Sequence, residues 1–209
     1  MKDKAKLILE LPIKNANNTC TCDILGLKIE TKEEAQMLKE LLPYVDKRIM
    51  VKSPDTQVLL EALKYLDREC IVGIIDENNY KMLVPEIIKG GHTAIIRTPI
   101  DINLAKEMNI LTTDMGLEKI LIDTDIGGLG YGFEYGYSIM EKIKLENDKY
   151  LNFPLISFAS EETAKTKEAK DENLSLYLEI ASTSAVMAAG ADYIVFTNQK
   201  ALNTVRGLL

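Results

Sequence analysis

Residues 70–98 read CIVGIIDENNYKMLVPEIIKGGHTAIIRT. Two short β-branched runs, Cys70–Ile75 and Thr93–Thr98, flank the stretch Tyr80–Lys89, whose apolar residues recur at helical spacing. Gly90 and Gly91 stand where that helix should stop. Many such runs in the chain are apolar along their length instead of alternating, as strands of a parallel sheet are when covered on both faces. The stretch therefore reads as one strand–helix–strand unit.

The same alternation continues in both directions. Further strand-like runs are Lys6–Ile13, Asp23–Ile29, Arg48–Lys52, Ile120–Asp123, Pro154–Ala159 and Asp192–Thr197. Amphipathic segments lie at Lys32–Val45, Thr56–Asp67, Asn103–Met115, Tyr137–Glu146, Glu161–Ala189 and Gln199–Leu209. Thr31 and Asp55 are placed to cap the helices that follow them, and Gly116 and Gly190 to end the helices before them. Eight strands with helices between them predict an α/β fold, a compact (β/α)8 TIM barrel, as a single domain over residues 1–209. One joint is irregular. Between the first two strands lie only the nine residues KNANNTCTC, Lys14–Cys22, whereas a parallel crossover usually takes about a dozen or more. The first outer helix is predicted to be missing or reduced, leaving that flank poorly covered and open to a partner, a second copy in a homodimer included. A distorted or antiparallel first strand is the alternative.

Of 209 residues, 46% are hydrophobic and 27% charged, a composition that excludes a disordered chain. No apolar run approaches the ~18 residues of a spanning helix, and Glu10 and Pro12 interrupt the apolar start too early for a secretion signal. A soluble, cytoplasmic protein with no membrane contact is expected. The net charge of −7, without a basic cluster, argues against nucleic-acid partners. Cys20, Cys22 and Cys70 form no C-x-x-C, and His92 is the only histidine, so no metal site is expected. Cys20 and Cys22 read as loop thiols. His92 precedes a strand, away from the catalytic end, and no Ser–His or Cys–His nucleophile is legible; no catalytic residue is assigned.

Barrel active sites form at the C-terminal ends of the strands. Those ends carry Asp76 and Asn78 after the fourth strand, and Asp101 and Asn103 after Thr98-Pro99 at the fifth. Asp123, Asp125, Gly127, Gly128, Gly130 and Tyr131 follow the sixth, Ser157 and Ala159 end the seventh, and Asn198 ends the eighth. Carboxylates and amides in this number can hydrogen-bond a heterocycle of mixed donors and acceptors. Asp123 and Asp125, two apart, would point to one side of an extended backbone and could split their pKa values. The alternative for Asp101 and Asp125 is helix capping. The run GGLGYG lacks the spacing of a phosphate loop, so its glycines read as a sharp turn approaching a flat ligand or a partner. Of the aromatic residues Tyr131, Phe133, Tyr135 and Tyr137, half are expected in the core and half on a rim platform.

The segments TPIDINLAKEMNIL (98–111), ILIDTDIGGLGYGFEYGYSIMEKIKL (120–145) and FPLISFASEETAKTKEA (153–169) resemble the small (delta) subunit of the corrinoid iron–sulfur protein, of the acetyl-CoA synthase/decarbonylase pathway. The segments 76–97 and 185–198 are also similar to it, so the likeness runs from about Cys22 to Asn198. The resemblance implies a barrel similar to those of dihydropteroate synthase and the corrinoid methyltransferases. It further implies a larger partner subunit carrying an iron–sulfur and a corrinoid domain, and a methyl group passed between a tetrahydropterin and cobalt. By position, Asp76, Asn78, Asp123 and Asn198 would correspond to the pterin-holding groups of related barrels. Three features depart from the family pattern: Asp123-Thr124 replaces Asp-Pro, the family's N-terminal region before the barrel and most of its first helix are absent from this sequence, and the segment near Lys170–Asn173 is short. There is no D-x-H-x-x-G corrinoid signature, so the corrinoid would arrive on the partner.

Two functions follow. In the first, the chain binds no cofactor alone and its rim docks the partner's corrinoid domain during methyl transfer. In the second, it is a stand-alone, methyltransferase-like barrel that binds a tetrahydropterin through Asp123 and Asp76. A ligand-free structural remnant is the plain alternative.

Overall fold

A computed structural model describes residues 4–16, 21–98, 100–146 and 148–209. Cys20 and Pro99 lie outside the described residues. Eight strands, β1 (Lys6–Pro12), β2 (Ile24–Lys28), β3 (Arg48–Lys52), β4 (Ile71–Ile75), β5 (Thr93–Arg97), β6 (Ile120–Asp123), β7 (Leu155–Ser157) and β8 (Tyr193–Phe196), close in sequence order into a barrel. Every neighbouring pair is parallel, the closing pair β1–β8 included. The predicted TIM barrel is what the chain forms.

The helices are α1 (Lys32–Leu41), α2 (Thr56–Leu63), α3 (Tyr80–Lys89), α4 (Ile102–Asp114), α5 (Phe133–Leu145), α6 (Ala159–Ala164), α7 (Glu172–Ala188) and α8 (Gln199–Arg206). Their starts obey the local chemistry of the sequence. Thr31 Oγ1 accepts the Glu34 N–H, and Asp55 Oδ1 accepts those of Gln57 and Val58, satisfying donors that a first helical turn leaves unpaired. Gly116 and Gly190 end their helices in the left-handed region, at φ 96° and 99°.

Three of the boundaries that differ from the sequence reading have a clear local cause. Helix α5 begins at Phe133, four residues before the expected Tyr137, because Gly132 takes φ 91° and turns the chain directly into it. The expected helix Glu161–Ala189 is two helices: a 3-10 turn at Glu168–Lys170 intervenes, and Asp171 Oδ1 accepts the Leu174 N–H to start α7 afresh. Strand β7 stops at Ser157, whose Oγ accepts the Ala159 N–H, so Ala159 already belongs to α6.

Among the described residues between β1 and β2, a 3-10 turn, Ile13–Asn15, is found and no outer helix. The strand is neither antiparallel nor displaced. Ile13 and Cys22 are buried, and α8 packs on β1. Among the described residues of this connection and its two strands, no large apolar side chain is exposed, so the expected poorly covered flank is not found.

The core has two compartments. One lies between barrel and helices. The other fills the barrel with Ile8, Ile24, Met50, Ile71, Ile95, Leu121, Ile156 and Val195.

Candidate functional site

Successive inward-facing positions on a strand are two residues apart. Above Ile8, Met50, Ile95 and Ile156, the odd-numbered strands therefore present Glu10, Lys52, Arg97 and, just past β7, Phe158. Four side chains from alternate strands are the normal content of one barrel layer. This layer closes the C-terminal mouth, and three of its four members are charged.

Lys52 is buried, with its Nζ 2.9 Å from Glu10 Oε2 and ion-paired to Glu161 from α6. The Glu10 contact lacks hydrogen-bond geometry, so Glu10 Oε2 is buried without a hydrogen bond. Burial pushes the Glu10 carboxyl above its ordinary pKa despite Lys52. Burial also acts to raise Glu161, but the charge and hydrogen bond of Lys52 outweigh it and its pKa lies below the ordinary value. Arg97 Nε donates to Asp123 Oδ2 at 2.6 Å and stands 3.5 Å from Asp125 Oδ1. Asp123 is 1% exposed; burial raises its pKa, with Arg97 opposing. Among the described residues nothing hydrogen-bonds the terminal Nη nitrogens of Arg97.

Beside this layer a cleft of about 450 Å3 opens between the rim and helices α3 and α4. Arg97, Asp76, Asn78, Thr98 and Asp125 line its polar end, and Leu104 with Met108 its apolar wall. Its volume lies within the range of roughly 300–1,000 Å3 usual for small-molecule sites.

Of the rim residues singled out by sequence, the cleft brings together Asp76, Asn78 and Asp125. Asp123 stands behind Arg97, with Oδ1 taken by the Asp125 N–H. Asp125 adopts φ 52°, not an extended conformation, and Arg97 stands between the two carboxylates. The expected carboxylate pair is therefore an Arg-bridged one. Asp76 Oδ1 accepts the N–H groups of Asn78 and Asn79, spending one oxygen on its own loop. Asp101 caps α4 and Asn198 caps α8; Asn103 donates its N–H to Asp101 from the first turn of α4. These three are not at the cleft. Two glycines of the run approach their own chain: a Cβ on Gly127 would stand 2.4 Å from the Tyr131 carbonyl, and one on Gly128 2.7 Å from that of Glu162. Gly130 takes φ 77° within the same turn. Tyr131 is exposed and donates to Glu168; Tyr135 is also exposed, while Phe133 is buried against the half-buried Tyr137.

His92 is buried at the opposite end of the barrel, where its Nδ1 accepts the Cys70 N–H, and burial lowers its pKa. Among the described residues no group of three or more His, Cys, Asp or Glu could hold a metal, and no helix is long and apolar enough to cross a membrane.

Sequence reasoning missed Glu10, Lys52, Arg97, Phe158 and Glu161. The signal for three of them was a charged residue at the inward parity of an otherwise apolar strand.

The sequence model of the family described as CO dehydrogenase/acetyl-CoA synthase delta subunit matches residues 7–204. The chain belongs to that family. Subunit delta 1 of the acetyl-CoA decarbonylase/synthase complex from Methanosarcina thermophila is 30% identical over 139 residues, covering 60% of this chain and 32% of the relative. The delta subunit from Methanocaldococcus jannaschii is 25% identical over 199 residues, covering 84% of this chain and 48% of the relative. The chain thus spans about a third to a half of the length of these relatives. Among solved structures, dihydropteroate synthase from Thermus thermophilus superposes with a TM-score of 0.75 over 99% of this chain and 92% of that one, at 15% identity. The Xanthomonas albilineans enzyme in complex with 7,8-dihydropteroate gives 0.70 over 99% and 93%, at 10% identity. These likenesses confirm the barrel fold.

Proposed function

We propose that this delta-family barrel is a docking subunit of a cytoplasmic methyl-transfer complex, and that its C-terminal rim receives the corrinoid domain of a larger, iron–sulfur-containing partner. A corrinoid supplies a cobalt atom that carries the methyl group between a tetrahydropterin and the next acceptor. The chain's own residues bind, orient and exclude water.

The observation that carries the reading, beside family membership, is the open edge of Arg97. A corrin ring is rimmed with primary amides, which need donors and acceptors together. The cleft offers Arg97 Nη donors beside the carboxylates of Asp125 and Asp76 and the amide of Asn78, against the apolar wall of Leu104. Such a set fits a neutral amide better than an anion, which four acidic neighbours (Asp76, Glu77, Glu107 and Asp125) would repel.

Direct pterin binding through Asp123 has less support. Both of its carboxylate oxygens are engaged and it is almost fully buried, so as arranged it offers a ligand nothing. The chain retrieved from its native lysate should bring a larger subunit with corrinoid absorbance in equal amount. Arg97→Ala should weaken that capture about tenfold or more, as for loss of a charged hydrogen-bonding group. A colourless chain without such a subunit would defeat the reading.

A further inference from the structure

Helix α4 carries an apolar edge that the barrel does not use. Ala105, Asn109 and Thr112 are its buried face, and Lys106 turns away to Asp148, beyond α5. Leu104, Met108, Leu111 and Met115 follow one another at spacings of four, three and four. That is the heptad repeat by which one helix offers a continuous seam to another. Met108 is buried, but Leu104, Leu111 and Met115 are 40%, 38% and 37% exposed. Single apolar residues on a surface need no explanation, whereas a row of them marks an interaction site.

The neighbouring helix leaves this seam open. Helix α3 packs on α2 but barely touches α4. Tyr80 of α3 meets Leu104, Met108 and Leu111 at the cleft near the rim. At the far end of the two helices, Ile88 lies with Gly116 and Leu117 in a second hollow of about 280 Å3. An apolar groove therefore follows α4 for its whole length, roughly 20 Å at the rise of an α-helix.

Charge selects what can fill it. Glu107 and Asp114 are exposed, stand seven residues apart beside the seam, and make no ion pair among the described residues. In heptad terms both occupy the flanking position that decides which partner a seam accepts. Glu77 and Glu118 add a carboxylate at either end of the groove. Lys81 of α3, resting over the ring of Tyr80, is the opposing cation, so the acidic edge lies on the α4 side. A second copy of this chain fits poorly. Two α4 helices laid antiparallel would set Glu107 and Asp114 of one against the same residues of the other, and like charges in contact reject a partner.

We propose that the groove between α3 and α4 receives an amphipathic helix of a partner protein, with its apolar edge on the seam and lysine or arginine facing Glu107 and Asp114. An apolar helix face laid in a groove is a recurrent mode of recognition, and its charged flanks fix the choice of partner. The groove shares Leu104 with the rim cleft, but not the polar groups through which the rim would meet a corrinoid domain.

The test uses two fluorescein-labelled helical peptides, each about three heptads long with leucine along one edge. One carries lysine at the positions flanking that edge, the other glutamate. Anisotropy should show the purified full chain binding the lysine peptide saturably, one to one, and at least about tenfold more tightly than the glutamate peptide. Leu111→Glu should weaken that binding about tenfold or more. Glu107→Lys combined with Asp114→Lys should reverse the preference between the peptides. Tyr177→Glu, which alters an exposed apolar residue on α7, should change neither affinity. No saturable binding, equal binding of both peptides, or a preference that survives the charge reversal overturns the proposal. So does an equal loss in Tyr177→Glu. If Leu111→Glu does not fold, the charge reversal decides, because it changes only exposed residues. Sedimentation of the chain alone should show a monomer. A dimer that Leu111→Glu dissociates would mean that a second copy covers the seam, and would also overturn the proposal. The assay contains no corrinoid protein, so its failure and that of rim docking are told apart.

Discussion

Ile8, Met50, Ile95 and Ile156 form an apolar layer inside the barrel; two residues further along the chain stand Glu10, Lys52 and Arg97 on the same strands and Phe158 just past β7. The lower layer is held by close packing, which is tolerant of chemistry and intolerant of lost volume. The upper layer is held by charge pairing, which tolerates little change of charge because each ion depends on its neighbour. One pleat separates a stability device from a set of groups whose burial costs stability and is retained at the end where function is expected.

The strongest way to break this contrast is Lys52→Met. It keeps the volume but strands two carboxylates, and should destabilise the fold by about 3–5 kcal/mol. Adding Glu10→Gln and Glu161→Gln should restore most of the loss. Urea midpoints of the three proteins measure it, and a Lys52→Met protein as stable as the parent would show the mouth to be held by packing after all.

A smaller effect is expected one layer down. Ile95→Val should cost about 0.5–1.5 kcal/mol from the lost methylene alone, with no change between pH 4 and pH 8.

The pH dependence separates the two mouth glutamates. Burial raises Glu10 above its ordinary 4.5, so the native state holds its proton more readily than the unfolded chain. That stabilisation is complete below pH 4.5 and is lost as pH rises through the raised value. Glu161, lowered by Lys52 against burial, contributes above pH 4.5 and loses its contribution as pH falls through its own lowered value. Relative to the parent, Glu10→Gln should therefore gain stability from pH 4 to pH 8, and Glu161→Gln should lose it. Chemical denaturation at several pH values reads both slopes, and parallel profiles would refute the assignment.

The least perturbing probe reports on the far end of the barrel. Burial pushes the Cys70 thiol up to about 12, so at pH 8 it should resist alkylation until the chain unfolds. Peptide mass spectrometry after timed labelling checks this, and rapid modification of the native protein would contradict it.

Strand and helix identity was legible because it rests on local patterning. The apolar runs at Cys70–Ile75 and Thr93–Thr98, and the caps Thr31 and Asp55, required no knowledge of distant neighbours. The mouth was not, because it is assembled from β1, β3, β5 and the start of α6. Asp123 could be singled out as the end of an apolar strand, but its partner Arg97 lies one strand away in the barrel and 26 residues earlier in sequence. Asp125 was misread for a local reason: its left-handed backbone breaks the two-residue parity from which its direction was inferred. Phe158 gave no signal, since a phenylalanine after an apolar strand reads as ordinary core.

The seam of the barrel has a consequence for its synthesis. Leu9 pairs with Phe196 where β1 meets β8, so that edge of the first strand gains its partner only after the rest of the barrel has been made. At about 5–20 residues per second, β1 waits roughly ten to forty seconds on the ribosome with an unpaired edge. Glu10 and the proline at residue 12 lie on that strand, and a charge and a proline are what blunt an exposed edge against pairing with other chains. The glutamate that burdens the finished barrel is, during that interval, a guard against aggregation.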